Sequence, residues 1–295
     1  MASQGSPVAS TILVTGSDAA DAGAVFRVDR ATGTATVVSV GDTFSSPIGV
    51  AVASDGGILV ADADAFGGPG GVIRVDPMTG AQTTVSSAGL FANPFDIAVE
   101  ADGGILVADP HASGRGGVIR VDPATGAQAM VSLGEETGEA APLRPVGIAL
   151  DADGNILVVE QTLAGGAGGS GRVTRIDPTS GTRTVVSSRG QFASAAGVAV
   201  EADGNILVAD ANAFGGSGGV IRVDPVTGTQ ATVSSGSGFV SPLGIVVEAD
   251  GGILVADSDA LGAGAVIRVD PATGAHTTVA SGGALRGPRR LAIVA

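Results

Sequence analysis

The chain of 295 residues contains no cysteine, tryptophan, tyrosine or lysine. The absence of cysteine excludes disulfide bonds, thiolate metal ligands and a cysteine nucleophile. The absence of lysine leaves 15 arginines against 29 acidic residues, for a net charge of −14. That balance argues against nucleic acid or an anionic membrane as a partner. Any chemistry must therefore use carboxylates, histidine, arginine, hydroxyls, backbone groups or a metal ion.

Long hydrophobic runs are also absent, although 44% of the residues are hydrophobic. No run approaches the roughly 20 residues that cross a bilayer. The opening residues, MASQGSPVAS, show no basic and apolar signal-peptide pattern. We expect a monomeric protein that is cytoplasmic, or secreted with its signal peptide absent from this chain. We also expect residues 1–10 to form a flexible N-terminal segment.

What the sequence does contain is a repeat of 46 to 55 residues. The block ILVAD begins at Ile58, Ile105, Ile206 and Ile253, with edited copies from Ile12 and Ile156. The block VIRVD begins at Val72, Val118, Val220 and Val266, with edited copies from Val25 and Val173. These are short apolar runs bounded by Gly, Asp and Pro, which indicates strands. A repeat of this length built of strands is typical of a propeller blade.

Each repeat predicts four strands, which we call A to D. In the second repeat they are Ile48–Val52, Ile58–Asp62, Val72–Asp76 and Gln82–Ser86. Asp55-Gly56 predicts a two-residue turn between strands A and B.

The two ends of the chain predict how the ring closes. The first repeat begins at strand B, Thr11–Thr15, and the chain ends with a strand A, Arg290–Val294, that has no blade after it. We therefore predict one all-β domain, residues 11–295. It is a six-bladed β-propeller with four antiparallel strands per blade, closed when the C-terminal strand pairs into the first blade.

The long loops between strands B and C, and between strand D and the next strand A, share one side of this ring. We call that side the top face. Two insertions, Glu135–Leu143 and Gly165–Gly171, fall there. Long, variable loops on a rigid scaffold favour binding.

The segments Pro242–Val246 (PLGIV) and Asp203–Asp210 (DGNILVAD) resemble the NHL-type six-bladed propeller. The resemblance covers essentially the whole chain. It implies a fold shared by non-catalytic binding propellers, calcium-dependent gluconolactonases and streptogramin B lyases. This chain lacks the aromatic residues that such repeats carry in strand B, and no catalytic residue is carried over.

Residues that recur in every blade have a blade-level role, whereas residues that occur once are candidates for a site. An arginine recurs in strand C with an aspartate two residues later, as in Arg74 and Asp76. This pair suits either a ring of charged ligands or, as we favour, ion pairs between strands and capping of turns.

An Asp-x-Asp pattern on the top face is a candidate calcium site. Its members are Asp62, Asp64, Asp257 and Asp259. Carboxylates at this spacing in a Gly-rich loop supply the oxygen ligands that Ca²⁺ prefers. A complete calcium-loop signature is absent, so solvated turn acids are the alternative.

Unique residues mark a candidate ligand site at the channel mouth. Four blades have Gly near the start of strand A where the other two have Asp96 and Arg290. These two side chains suit a polar ligand or a pair with each other. The remaining candidates are Arg144, His111, Glu160 and Gln161.

Three hypotheses for function follow. The first is a binding propeller for a small polar ligand or a protein segment at the top face and channel mouth. The second is a divalent-metal-assisted lactonase or lyase, in which the bound small molecule would be a substrate and Ca²⁺ the cofactor. The third is a near-symmetric scaffold with no evolved ligand, which predicts a symmetric, water-filled channel.

Overall fold

The computed structural model describes residues 11–134, 143–162, 171–236 and 238–294. Their strands form six antiparallel sheets of four strands each, which confirms the predicted six-bladed propeller. The expected flexible segment 1–10 lies outside the described residues, as do residues 135–142 and 163–170, which hold most of the two insertions.

The strands follow the order A, B, C, D within each blade. Blades one to three contain β1 (Thr11–Ser17), β2 (Gly23–Asp29), β3 (Ala35–Val40), β4 (Pro47–Val52), β5 (Ile58–Asp62), β6 (Gly71–Val75), β7 (Gln82–Ser87), β8 (Asp96–Val99), β9 (Ile105–Asp109), β10 (Gly117–Val121) and β11 (Gln128–Leu133). Blades four to six, with the closing strand, contain β12 (Leu143–Leu150), β13 (Ile156–Thr162), β14 (Arg172–Ile176), β15 (Arg183–Ser188), β16 (Ala195–Val200), β17 (Ile206–Asp210), β18 (Gly219–Val223), β19 (Gln230–Ser235), β20 (Pro242–Val247), β21 (Ile253–Asp257), β22 (Ala265–Val269), β23 (His276–Ser281) and β24 (Leu291–Ile293).

Among the described residues, short helical turns follow strand B in four blades. They are Ala65–Gly67, Ala112–Gly114, Ala213–Gly216 and Ala260–Gly262. Within the part of the chain that the structure describes, no helix has the length and apolar character of a membrane span.

Five consecutive residues of strand B are buried in every blade, because neighbouring blades cover both faces of the strand. All five residues of β5 are buried. Leu59 and Ala61 of β5 pack in one cluster with Ile105 and Val107 of the next blade. An uninterrupted apolar run fits this environment, whereas a sheet with one wet face would alternate polar and apolar residues. The core is therefore a ring of contacts between consecutive blades.

The turn between strands A and B differs from the predicted two-residue turn. The Gly56 N–H donates to the Ala53 carbonyl, so the central residues are Ser54 and Asp55. Gly56 follows in the left-handed region, with φ of 84°. This arrangement is a three-residue hairpin loop in which a glycine makes the bulge. The Asp55 carboxylate is thereby left free to accept from the Gly57 N–H, 3.0 Å away.

The ring closes as predicted. Strand β24 pairs antiparallel with β1, with Leu291 opposite Val14 and Ile293 opposite Ile12. The first blade therefore takes its innermost strand from the C-terminal end of the chain. By pairing with β1, β24 covers the inner edge that the first blade would otherwise expose.

Five of the six seams between blades share one hydrogen bond. A serine near the end of strand D donates to a glycine carbonyl in the next blade, as Ser86 does to Gly126 over 2.8 Å. The other pairs are Ser39–Gly80, Ser132–Gly181, Ser187–Gly228 and Ser234–Gly274. The seam between blades six and one has Ala280 at this position. There an ion pair between Arg30 and Glu248 joins the two blades instead.

The recurrent Arg and Asp of strand C have structural roles. Arg74 contacts the Asp55 carboxylate at 2.6 Å, and Arg120 contacts Glu100 at the same distance. The Asp76 carboxylate accepts N–H groups of Met78 and Thr79 in the turn that follows. These contacts support ion pairing between strands and turn capping rather than a ring of ligands.

Candidate functional site

Asp96 and Arg290 meet in the central channel. The Arg290 Nε lies 3.1 Å from Asp96 Oδ2, and both side chains are buried. Asp96 begins strand A of blade three, and Arg290 directly precedes the closing strand β24. The two residues that sequence analysis singled out at one repeat position therefore form an ion pair between two blades.

The Arg290 guanidinium also binds backbone carbonyls of three further blades. Nη1 donates to the Leu243 oxygen and Nη2 to the Val146 oxygen, both over 2.7 Å. Nη2 also donates to the Ala196 oxygen over 3.1 Å. Asp96 in turn accepts the Ile148 N–H through Oδ2. The channel at this level is filled by one side chain, unlike the symmetric channel that the scaffold hypothesis predicts.

The glycines at the same repeat position allow this close packing. A Cβ added at Gly197 would lie 2.4 Å from the Leu243 carbonyl oxygen, and one at Gly147 would lie 2.5 Å from that of Ala196. These are carbonyls that accept hydrogen bonds from Arg290. A side chain at either glycine would push strand A away from the guanidinium.

Arg290 separates two cavities along the channel. The cavity on the top face, which we call the upper chamber, has a volume of about 370 Å³. Its wall contains one apolar residue from strand A, or just before it, in each of five blades, and these residues are Ile48, Phe95, Val146, Ala196 and Leu243. Polar side chains lie among them, namely Ser17, Gln161, Ser258, Asp259 and Arg289.

Arg289 occupies the repeat position at which the other five blades have those apolar residues. Its Nη1 donates to the Ser46 hydroxyl over 2.9 Å. Burial lowers the pKa of Arg289 below its ordinary value, and the positive charge of Arg290 acts in the same direction. Asp62 and Asp64 oppose that shift. Arginine nevertheless keeps its proton in proteins, so the upper chamber contains a cation at its wall.

The cavity below Arg290, which we call the lower chamber, has a volume of about 260 Å³. Its lining is mainly aliphatic, and Asp96 and Arg290 close its inner end. Burial raises the pKa of Asp96 above its ordinary value, and the neighbouring Arg290 opposes this shift.

Two of the other predicted site residues line the upper chamber. Gln161 does so while its Oε1 accepts the Ser194 hydroxyl over 3.0 Å. Asp259, predicted as a calcium ligand, lines it too and is exposed.

The remaining three ligand candidates do not line it. Arg144 donates from Nη1 to the Pro110 carbonyl over 2.7 Å. His111 is exposed on the top face. Glu160 is completely buried inside blade four, where it accepts Arg172 Nε at 2.8 Å and the Thr174 hydroxyl at 2.5 Å. Arg183 also contacts Glu160.

The predicted calcium ligands Asp62 and Asp257 bind backbone N–H groups. Asp62 accepts the N–H groups of Ser45, Ser46 and Asp64 at 2.9 to 3.1 Å. Asp257 accepts an equivalent set from its own loops. Burial raises the pKa of Asp62 despite these bonds. The described residues contain no group of three or more Asp, Glu or His side chains that suits a metal ion. At the channel centre, backbone oxygens that would suit a cation bind Arg290, so these residues do not fit a divalent ion there.

Sequence reasoning missed the apolar wall and the role of Arg289. The signal was present, because the residue before the repeat position of Asp96 and Arg290 is apolar in five blades and Arg in the sixth. The five apolar residues at this position resemble ordinary core residues in the sequence, so the position did not stand out as part of a site.

Comparisons of sequence and structure place the chain among known proteins. A chain in a crystal structure of a nidogen/laminin complex is similar, with a TM-score of 0.72 and 14% identity over 96% of this chain and 97% of that one. The PQQ-bound aldose sugar dehydrogenase of Streptomyces coelicolor has a TM-score of 0.65 and 19% identity, over 87% and 86%. At these identities the likeness shows the fold alone. No curated protein sequence matches. Residues 17–284 match the family described as SMP-30/gluconolactonase/LRE-like region, so this chain belongs to that family.

Proposed function

We propose that this protein is a binding propeller that holds a small molecule in the upper chamber. The observation that carries the proposal is a cavity of about 370 Å³ with an apolar wall and a few polar side chains. Sites for small molecules have this composition, because apolar walls supply affinity and a few polar groups fix orientation.

The closed floor favours a small molecule over a threaded protein segment. Arg290 fills the channel by binding Asp96 and the carbonyls of Val146, Ala196 and Leu243. A chain segment could therefore insert only as far as Arg290. A compact ligand uses the whole depth of the chamber.

The test places a larger side chain in the chamber by mutation and measures how much added compounds raise the melting temperature. Leu243 is partly exposed in the wall, so Leu243→Trp places a larger side chain in the cavity. Val226→Trp is the matched control, because Val226 is 91% exposed in a turn and does not line the chamber. A compound that binds only the folded protein raises its melting temperature. We expect compounds from a small-molecule library to stabilise wild type and V226W but not L243W. If every stabilising compound acts equally on all three proteins, the proposal is wrong.

A lactone hydrolase is the second candidate function, and family membership is the observation that favours it. Its test combines an assay of gluconolactone hydrolysis with melts in Ca²⁺ and in EDTA. Hydrolysis that requires Ca²⁺, together with loss of Ca²⁺ stabilisation in Asp257→Asn, would support that function and the predicted calcium ligands. Ligand binding without hydrolysis would favour the binding propeller.

A further inference from the structure

The upper chamber holds a partly buried cation that has no carboxylate partner among the described residues. Five of the six recurrent strand-C arginines form an ion pair with a carboxylate, namely Arg74, Arg120, Arg175, Arg222 and Arg268. The sixth, Arg27, donates to the Pro77 carbonyl. Arg289 forms no ion pair within that part of the chain, and its hydrogen bond goes to the neutral Ser46 hydroxyl. Removing a charge from water costs free energy that a partner normally offsets.

The surroundings of Arg289 sharpen the contrast. Burial is the largest cause that lowers its pKa and the Arg290 charge adds to it, whereas the charges of Asp62 and Asp64 oppose the shift. The guanidinium groups of Arg289 and Arg290 both line the upper chamber. The protein as a whole has the opposite sign of charge, with a net charge of −14. The carboxylate of Asp96 lines the lower chamber and not the upper one. Asp259 is the acid that lines the upper chamber, and it is exposed to solvent.

Much of the chamber wall is apolar, with the polar side chains of Ser17, Gln161 and Ser258 between its apolar residues. Ile48, Phe95, Val146, Ala196 and Leu243 offer aliphatic and aromatic surface but no side-chain hydrogen-bonding group. A strongly hydrated ion such as phosphate would lose its water against that wall without compensation. An anion joined to an apolar body would match both halves of the chamber.

We propose, resting on the proposed function, that the ligand of the upper chamber is a small monocarboxylate with an apolar body, whose carboxylate pairs with Arg289. A guanidinium matches a carboxylate in geometry and binds it by charge-assisted hydrogen bonds. A cavity of about 150 Å³ holds benzene, so this chamber suits a body of roughly ten non-hydrogen atoms.

The experiment compares four probes that separate charge from apolar surface. Phenylacetate has both features, phenylacetamide has the same body without charge, acetate has the charge without the body, and phenethylammonium reverses the sign. Isothermal titration calorimetry gives their affinities for wild type, R289Q, R289K and R144Q. Arg144 is the matched control, because it is an arginine on the same face whose guanidinium binds the Pro110 carbonyl and does not line the chamber.

We expect phenylacetate to bind wild type at least about tenfold more tightly than each of the other three probes. R289Q should lose this preference for the anion, R289K should keep most of it, and R144Q should leave it unchanged. Circular dichroism confirms that each variant is folded.

Equal affinity of phenylacetate and phenylacetamide for wild type would overturn the inference, as would an equal loss in R144Q and R289Q. This failure is distinct from failure of the proposed function. If library compounds bind in a manner that L243W blocks while phenylacetate has no advantage, the chamber is a binding site for another class of ligand. If no compound responds to L243W, the proposed function itself fails.

Discussion

The guanidinium of Arg290 reaches across the channel to the carboxylate of Asp96, with 3.1 Å between Nε and Oδ2. The same guanidinium binds carbonyls of Val146, Ala196 and Leu243, which belong to blades four, five and six. The closing strand β24 pairs with β1 through only three residue pairs. Closure of the ring therefore depends on one side chain as well as on a short strand.

Replacing Arg290 with Met should destabilise the whole ring. The substitution leaves Asp96 buried without its counter-charge and removes the hydrogen bonds that Arg290 donates to three carbonyls. Breaking a buried pair on one side costs about 3–5 kcal/mol. The measurement is urea unfolding followed by far-UV circular dichroism, because the chain has no Trp or Tyr to report.

The double variant Asp96→Asn with Arg290→Met separates charge from packing. It should recover part of the lost free energy of unfolding, since the neutral amide is less costly to bury than a lone carboxylate. An R290M protein as stable as wild type would show that the ion pair does not contribute to closure.

Gly197→Ala should be destabilising because the channel has no room for a methyl group there. The new Cβ would lie 2.4 Å from the Leu243 carbonyl oxygen. Overpacking of this kind costs about 1–3 kcal/mol. Val226→Ala is the control, because Val226 is 91% exposed in a turn. Comparable unfolding free energies for the two variants would contradict the tight packing around Arg290.

The seam between blades six and one can be strengthened by copying the other seams. There Ala280 replaces the repeated serine, and Ala35 replaces the glutamine of Gln82, Gln128 and Gln230. Gln128 donates to Ser86, which donates to Gly126. The double variant Ala35→Gln, Ala280→Ser should add about 1 kcal/mol to the free energy of unfolding. Ser86→Ala should remove a similar amount. A destabilised double variant would mean that the sixth seam has a different geometry.

We expect the free energy of unfolding to decrease in acid, in part because the Asp76 carboxylate becomes protonated. Hydrogen bonds from the backbone N–H groups of Thr79 and Met78 hold its pKa below the unfolded value of 3.8. A carboxylate with a lowered folded pKa stabilises the protein above the unfolded pKa, and this contribution is lost as the pH falls through the folded pKa. Asp76→Asn keeps an acceptor but cannot titrate. Wild type should therefore be the more stable protein at neutral pH, and the two should converge below pH 3.8. A difference that stays constant with pH would exclude this role.

The architecture was predictable from the sequence because it depends on features that recur in every blade. Apolar runs such as Ile58–Asp62 can be buried only between two sheets, and the unpaired strands at the two ends of the chain predict closure. The turn at Asp55-Gly56 was misplaced by one residue. Turn type depends on which residue takes the left-handed conformation, and here that is Gly56 alone.

The site was less predictable, because aligning the repeats shows where a residue lies on the backbone but not which partners its side chain reaches. Glu160 aligns with Asp62, whose carboxylate binds loop N–H groups, yet Glu160 is longer and binds Arg172 and Thr174 inside the blade. Arg290 was placed at the channel mouth, but its length lets it fill the channel below that mouth. Arg289 could be found only by asking which charged residue interrupts an apolar series.

The most direct test of the upper chamber is an amide chemical-shift titration with phenylacetate. We predict that the largest shifts fall on the backbone amides of Ser17, Gln161, Ser258 and Arg289, which line the upper chamber. Val50 and Ala199, which line the lower chamber, should change little because Arg290 separates the two cavities. Shifts centred on the lower chamber, or spread over the outer strands, would contradict the assignment of the upper chamber as the binding site.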